Sequence, residues 1–220
     1  NIVSLGVGID IDNLMPVVNQ IAADIQKKTY TCPQLQQMQA GIAGPGLMGL
    51  GMMTGMIAGV KGMSVSVLNL EFTAGSPVPD LGKLDAIVTL SAVDPAKLIA
   101  AAAMVPALQG VQIPSDGSVK DFPIPLPIGT QLQLKVAVKG SHIVAFIGER
   151  AAKLADTLTT DKTDKNGFLA FNVNYGKYME IFSNMAGTFL KSSSPGEHNA
   201  LNAAASLHMQ LVTKIDFNDS

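Results

Sequence analysis

The chain has 220 residues, of which 47% are hydrophobic and 15% charged, with a formal net charge of −2. That is a globular composition with ample material for a core, and it excludes both a charge-rich disordered chain and a field that would gather nucleic acid. Arg150 is the single arginine and there is no tryptophan, which also excludes recognition by arginine forks or stacking on indole rings.

Taken in order, Val3, Leu5, Val7, Ile9 and Ile11 alternate with Ser4, Gly6, Gly8, Asp10 and Asp12, a period of two that predicts a strand with one apolar face. The chain opens on Asn1 inside this strand, which reads as a mature or excised segment with a signal sequence or upstream domain removed. Leu14, Val17, Val18, Ile21 and Ile25 then take helical spacing, with Asp12 or Asn13 placed to cap and Pro16 tolerable in the first turn. Thr31-Cys32-Pro33 starts a short polar helix through Gln39. Gly41 to Val60 carries no charge and contains Gly51-x-x-x-Gly55-x-x-x-Gly59, a spacing that lets helices approach closely in lipid. Pro45 and its neighbouring glycines interrupt that run, so a buried helix from Leu47 to Val60 is expected rather than a membrane span.

Met63 to Phe72 predicts a strand in which Val65 and Val67 fall out of phase with Leu68, Leu70 and Phe72, the pattern of a bulge. Ser76 to Asp80 is a turn and Leu84 to Ala92 the next strand. Asp94-Pro95 supplies a cap and a first helical residue for a helix from Ala96 to about Leu108. Val111 to Ile128 reads as a loop or extended edge, because Pro123, Pro125 and Pro127 bar it from a helix or a central strand. Leu132 to Val138 and His142 to Gly148 form a hairpin, followed by a helix from Glu149 to Leu158 and a charged turn. Leu169, Phe171 and Val173, then Tyr178, Ile181, Phe182, Met185 and Phe189, repeat the opening strand and helix. Ser192 to Asn199 reads as a polar loop, Ala200 to Ala205 as a small helix and Leu207 to Phe217 as a last strand.

The sum is an α+β fold in one domain, 1–220, with a mostly antiparallel sheet of about seven or eight strands and helices on one face. The echo between the two strand–helix units suggests intertwined pseudo-repeats, 1–110 and 111–220, with the apolar stripes of both helices turned inward.

The chemistry-bearing motifs are sparse. Gly44-Pro45-Gly46-Leu47-Met48-Gly49 fits a dinucleotide fingerprint in letters, but a polar, glutamine-rich segment precedes it where a buried strand is required. Asp161 to Gly167 lacks the glutamate that closes a calcium loop, and Asp10 and Asp12 are explained by capping and solvation. His142, His198 and His208 have no metal-ligand spacing, and each falls at a turn, in a loop or on a polar strand face. Cys32 reads as a buried apolar thiol or as half of a bridge to sequence outside the chain, and nothing local pairs it with a histidine. No catalytic, cofactor-binding or metal residue is therefore assigned, and the chain is read as non-enzymatic. Met48, Met52, Met53 and Met56, with Ile99 and Met104 on the alanine-rich helix, are the candidate lining of an adaptable apolar pocket.

Two passages carry a resemblance. Leu134-Lys135-Val136-Ala137-Val138-Lys139-Gly140-Ser141-His142-Ile143-Val144-Ala145-Phe146-Ile147-Gly148 leads into a helix with Ala151-Ala152, and Gly167-Phe168-Leu169-Ala170-Phe171-Asn172-Val173 leads to Tyr178. Leu132 to Phe189 resembles uncharacterised exported bacterial proteins of domain-of-unknown-function type, with repeated strand–helix units. The resemblance implies a periplasmic or cell-envelope location, as for an envelope lipoprotein, and no activity or functional residue. The expected function is a non-enzymatic binding or structural module of such a protein, serving a protein partner or an upstream domain. The alternative is a carrier of a hydrophobic, lipid-like ligand between the Met/Gly-rich helix and the helix from Ala96 to Leu108.

Overall fold

The computed structural model describes residues 1–41, 55, 57–72, 79–104, 112–125, 131–161, 167–193, 195–207 and 209–216. Within them lie eight strands: β1 (Val3–Gly8), β2 (Val60–Phe72), β3 (Pro79–Ala92), β4 (Lys120–Pro125), β5 (Gln131–Lys139), β6 (His142–Ile147), β7 (Gly167–Asn174) and β8 (Gln210–Asp216). The described helices are α1 (Ile11–Lys27), α2 (Pro33–Gly41), α3 (Pro95–Ala102), α4 (Glu149–Thr157), α5 (Tyr175–Ser193) and α6 (Pro195–Ala205). The expected helix from Leu47 to Val60 falls mostly outside the described residues.

All eight strands form one antiparallel sheet in the order β4-β5-β6-β3-β2-β1-β7-β8, so the fold is α+β as the patterning predicts. The two echoing strands lie side by side: Val3, Leu5 and Val7 of β1 stand opposite Val173, Phe171 and Leu169 of β7. Each leads into a helix and is then paired on its other side by the strand that follows, β2 for β1 and β8 for β7. The strands of the first half, β3-β2-β1, occupy the middle, and those of the second half flank them on both sides.

Register sorts the side chains into two faces, because residues opposed across an antiparallel pair point the same way. One face is aliphatic: Leu5 stands beside Val65 and Phe171, Val65 beside Val88, and Val88 beside Ala145. The other carries small and polar groups in its middle, where Gly6 lies between Ser64 and Ala170, and Ser64 faces Thr89. The main core lies on this second face toward β5 and β6. There Ala151 and Ala155 of α4 pack on Ile87, Ala137, Val144 and Phe146, and alanine on the helix lets it sit close to the sheet. A second cluster joins Leu98 of α3 to Val60, Ala92, Leu90 and Ile143 at one end of the aliphatic face. The centre of that face stays open, with Leu5 44%, Val65 40% and Val88 42% exposed.

α4 is held by a long-range cap. Its own cap position is Gly148, with no side chain to offer, at φ 88°. The Asp85 carboxylate reaches across from β3 and accepts from the Arg150 backbone N–H at 2.9 Å. Any Cβ at position 148 would collide with that carboxylate, so glycine is required both by the left-handed φ and by the space. α3 starts as read from sequence, with Asp94 accepting from the Lys97 N–H and Pro95 in the first turn.

Several expectations are corrected. α1 is capped by Asp10, which accepts from the Asn13 N–H and pairs with Lys61 at 2.8 Å, rather than by Asp12 or Asn13. The expected loop from Ser192 to Asn199 is largely helical: α5 runs to Ser193 and α6 begins at Pro195, a residue suited to a first turn. The open choice over Val111 to Ile128 resolves in part as an edge strand, β4. The inward-facing stripes are only partly realised. Ala22 of α1 is buried and Val18 and Ile25 are half-buried, but Val17 and Ile21 are more than half exposed. On α5, Ile181 is half-buried while Tyr178 and Phe182 stand exposed and Ser183 is buried instead. The helices form where the spacing places them, and among their described side chains the buried positions are small: Ala22 on α1, Gly176 and Ser183 on α5.

Candidate functional site

The small residues on the β2-β1-β7 part of the polar face leave a hollow. It is walled by Leu154 of α4, by Leu158 just past that helix, and by Phe168 at the start of β7. The cleft encloses about 500 Å³, within the range of small-molecule sites. Gly6, Gly62, Ser64 and Ser66 form its floor. A Cβ on Gly6 would meet the Cβ atoms of Ser64 and Ala170 at 3.7 and 3.8 Å and the Ala170 carbonyl oxygen at 3.9 Å, all ordinary contacts, so the space above Gly6 is open rather than forbidden.

The polar groups converge at the β3–β6 side. Ser64 Oγ and Thr89 Oγ1 lie 2.6 Å apart across β2 and β3. Next to them Ser91 and His142 oppose one another in register, and Ser91 Oγ shares a hydrogen bond with His142 Nδ1 at 2.8 Å. His142 is 5% exposed, and its Nε2, itself all but inaccessible, has no hydrogen-bond partner among the described residues. A buried polar atom left without a partner costs about 1–3 kcal/mol, so this nitrogen gains from any donor or acceptor, water included, that reaches it. Burial also pushes the imidazole pKa below its ordinary value, against a smaller opposing pull from Asp161, which keeps the ring neutral.

At the rim Lys61 pairs with Asp10 at 2.8 Å and Lys214 with Asp216 at 3.1 Å, and Asp161 adds a third carboxylate to the lining. Among the described residues, no cluster of His, Cys, Asp and Glu could hold a metal ion.

The residues singled out from sequence lie elsewhere. Met48, Met52, Met53 and Met56 fall outside the described residues, as do the Gly44 to Gly49 motif and residues 162–166 of the charged turn. Ile99 is half-buried on α3 and Met104, just past that helix, is 77% exposed; neither lines this cleft. Leu98, one position away, is the α3 residue that packs on the sheet. Cys32 is exposed, with its thiol 2.8 Å from Gln34 Oε1, so the buried-thiol expectation is corrected: it sits at the polar start of α2, where there is no apolar wall to bury it. His142 was read as a turn residue with no role, and the structure buries it. The signal was present in the alternation of His142, Val144 and Phe146, which puts the ring on the same face as two core residues.

Compared with known proteins, the chain matches no family model, no curated protein and no solved structure. Among the described helices, none is long and apolar enough to cross a membrane.

Proposed function

We propose that the protein is a non-enzymatic binding module that holds a small ligand, with an apolar body and one uncharged polar head, in the His142 cleft. The observation that carries this reading is the unpartnered Nε2 of a buried histidine in the wall of a 500 Å³ cleft floored by glycine and serine. Leu154, Leu158 and Phe168 suit a hydrocarbon body. The hydroxyls of Ser64, Thr89 and Ser91 with the ring nitrogen suit a hydroxyl, ester or amide head. On this reading the lipid-like ligand belongs to the α4 side of the sheet rather than beside α3. Mass spectrometry of an organic extract tests it. Wild-type protein should release such a molecule, and Gly6→Val protein purified in parallel should not. Equal recovery from both, or none from either, would overturn the reading.

A hydrolytic reading has one observation in its favour, the Ser91 Oγ–His142 Nδ1 contact, since a hydroxyl beside an imidazole is how a nucleophile is activated. Labelling of Ser91 by a fluorophosphonate would support it, and an unlabelled Ser91 would favour the binding module. The location in the cell envelope rests on the resemblance of Leu132 to Phe189 to exported bacterial proteins. Fractionation of the native host, with the chain recovered in the cytoplasm, would contradict it.

A further inference from the structure

β1 and β2 end unequally. Ile2 and Val3 meet β2 at Val67, and beyond that point residues 68–72 run on against β3 alone. β7 ends at Asn174, whose N–H donates to the Ile2 carbonyl, and α5 starts at the next residue. The step left in the sheet is a second cleft of about 500 Å³. It lies at the end of β1 away from the His142 cleft and shares no lining residue with it.

Its lining is polar where the first is apolar. α5 presents Lys177, Glu180, Ile181 and Asn184, which fall at i, i+3, i+4 and i+7 and so form one stripe of the helix. A stripe set against the end of a sheet is ordinarily apolar, yet three of these four are polar. Tyr178 and Phe182 of the same helix stand exposed instead. Asn174 and, from the first turn of α4, Arg150 add to the lining.

Most of the charges here are already engaged. Glu71 accepts from Lys83 at 2.8 Å and from Asn69 at 3.3 Å, and Lys177 meets Glu180 at 3.2 Å. Arg150 differs. Asp85 takes its backbone N–H, but among the described residues its guanidinium has neither an ion pair nor a hydrogen bond. Asn174 gives its Oδ1 to the Lys177 N–H at 3.0 Å, which leaves its side-chain NH₂ to donate. The Asn184 amide has no partner among the described residues, so it can both donate and accept.

We propose that this cleft is a second ligand site, for a small hydroxy-carboxylate. The planar fork of Arg150 takes the carboxylate in two parallel hydrogen bonds, and the amides of Asn174 and Asn184 take hydroxyls. The Glu71 and Glu180 carboxylates in the same lining disfavour a multiply charged anion, so a ligand with one negative charge is selected over phosphate.

Arg150 is the single arginine, so its Nε–H gives the one arginine side-chain signal of nitrogen-labelled protein. Titration with sodium gluconate to about 50 mM reads the site, with glucose, sodium chloride and inorganic phosphate as the contrasts. Gluconate should shift that signal and the side-chain amides of Asn174 and Asn184 saturably, glucose and chloride should not, and phosphate should bind more weakly. Arg150→Lys keeps the charge and loses the fork, and should weaken gluconate about tenfold, read on the two asparagine amides. Asn184→Ala should weaken it about three- to tenfold, read on Arg150. Both side chains are exposed, so circular dichroism should not change in either variant. No saturation with gluconate, an equal response to glucose, tighter binding of phosphate, or an Arg150→Lys protein that binds gluconate as wild type does would each overturn the proposal.

Discussion

Ser91 on β3 and His142 on β6 share a hydrogen bond of 2.8 Å through Nδ1, while Nε2 of the same buried ring has no partner among the described residues. The serine orients the imidazole, and on the proposed reading the other nitrogen meets the bound molecule beside the hydroxyls of Ser64 and Thr89. Ser91→Ala leaves both nitrogens unpartnered. The expected loss is about 1–3 kcal/mol of stability, measured by urea denaturation, and a loss near zero would show that the contact does not order the ring.

His142 also sets a pH dependence. Its pKa is lowered in the folded state, first by desolvation, so the unfolded chain binds the proton more readily than the folded one. The histidine contribution is therefore fully present above the unfolded pKa of about 6.5 and is lost as pH falls from there toward the lowered folded value. The melting temperature should drop between pH 7.5 and pH 5, and His142→Gln should flatten that part of the profile. A profile unchanged by the substitution would place the pH sensitivity elsewhere.

Gly6 separates stability from binding. Its Cβ position is open and glycine is a poor strand residue, so Gly6→Val should hold or raise stability by up to about 1 kcal/mol while filling the cleft floor. Gly8→Ala is the contrast. A Cβ there would run into the Gly167 carbonyl oxygen on the neighbouring strand, so it should destabilise the fold outright. Thermal melts of the two variants side by side check this, and a destabilised Gly6→Val protein would mean that the hollow is structural.

The wall of the cleft depends on Asp85. Asp85→Ala removes the cap of α4 and should cost about 1–2 kcal/mol. Gly148→Ala should cost more, from the left-handed φ and the collision with Asp85 together. Because the two residues touch, their effects should not add: Gly148→Ala should cost less in an Asp85→Ala background. Strict additivity in a double-mutant cycle would remove the proposed relation.

Much of the fold was legible in the sequence because alternation and helical spacing are local. The opening strand and helix, their echo at Leu169 to Phe189 and the Asp94-Pro95 start all appear where the periods place them. The partners of those elements were not legible. Val17 and Ile21 read as core from spacing alone, but burial depends on what lies opposite, and both stay more than half exposed. Small residues, Gly6, Gly62 and Ser64, floor the cleft. Pairing partners of β4 and β8 were equally invisible, although the prolines marked β4 as an edge. The site was missed because His142 follows Gly140-Ser141, and a turn residue is ordinarily solvated. The alternation with Val144 and Phe146 puts the ring on the core face, and the register against Ser91, fifty-one positions earlier, shows what it meets there.

The central claim is that the His142 cleft receives an uncharged polar head on an apolar body. Titration of octan-1-ol into uniformly labelled protein, followed by the imidazole nitrogen resonances of His142, tests it most directly. The account predicts a saturable shift of Nε2 accompanied by the amides of Ser64, Thr89 and Ser91, absent in Gly6→Val. Shifts confined to Leu5, Val65 and Val88 on the opposite face, with Nε2 unmoved, would contradict it.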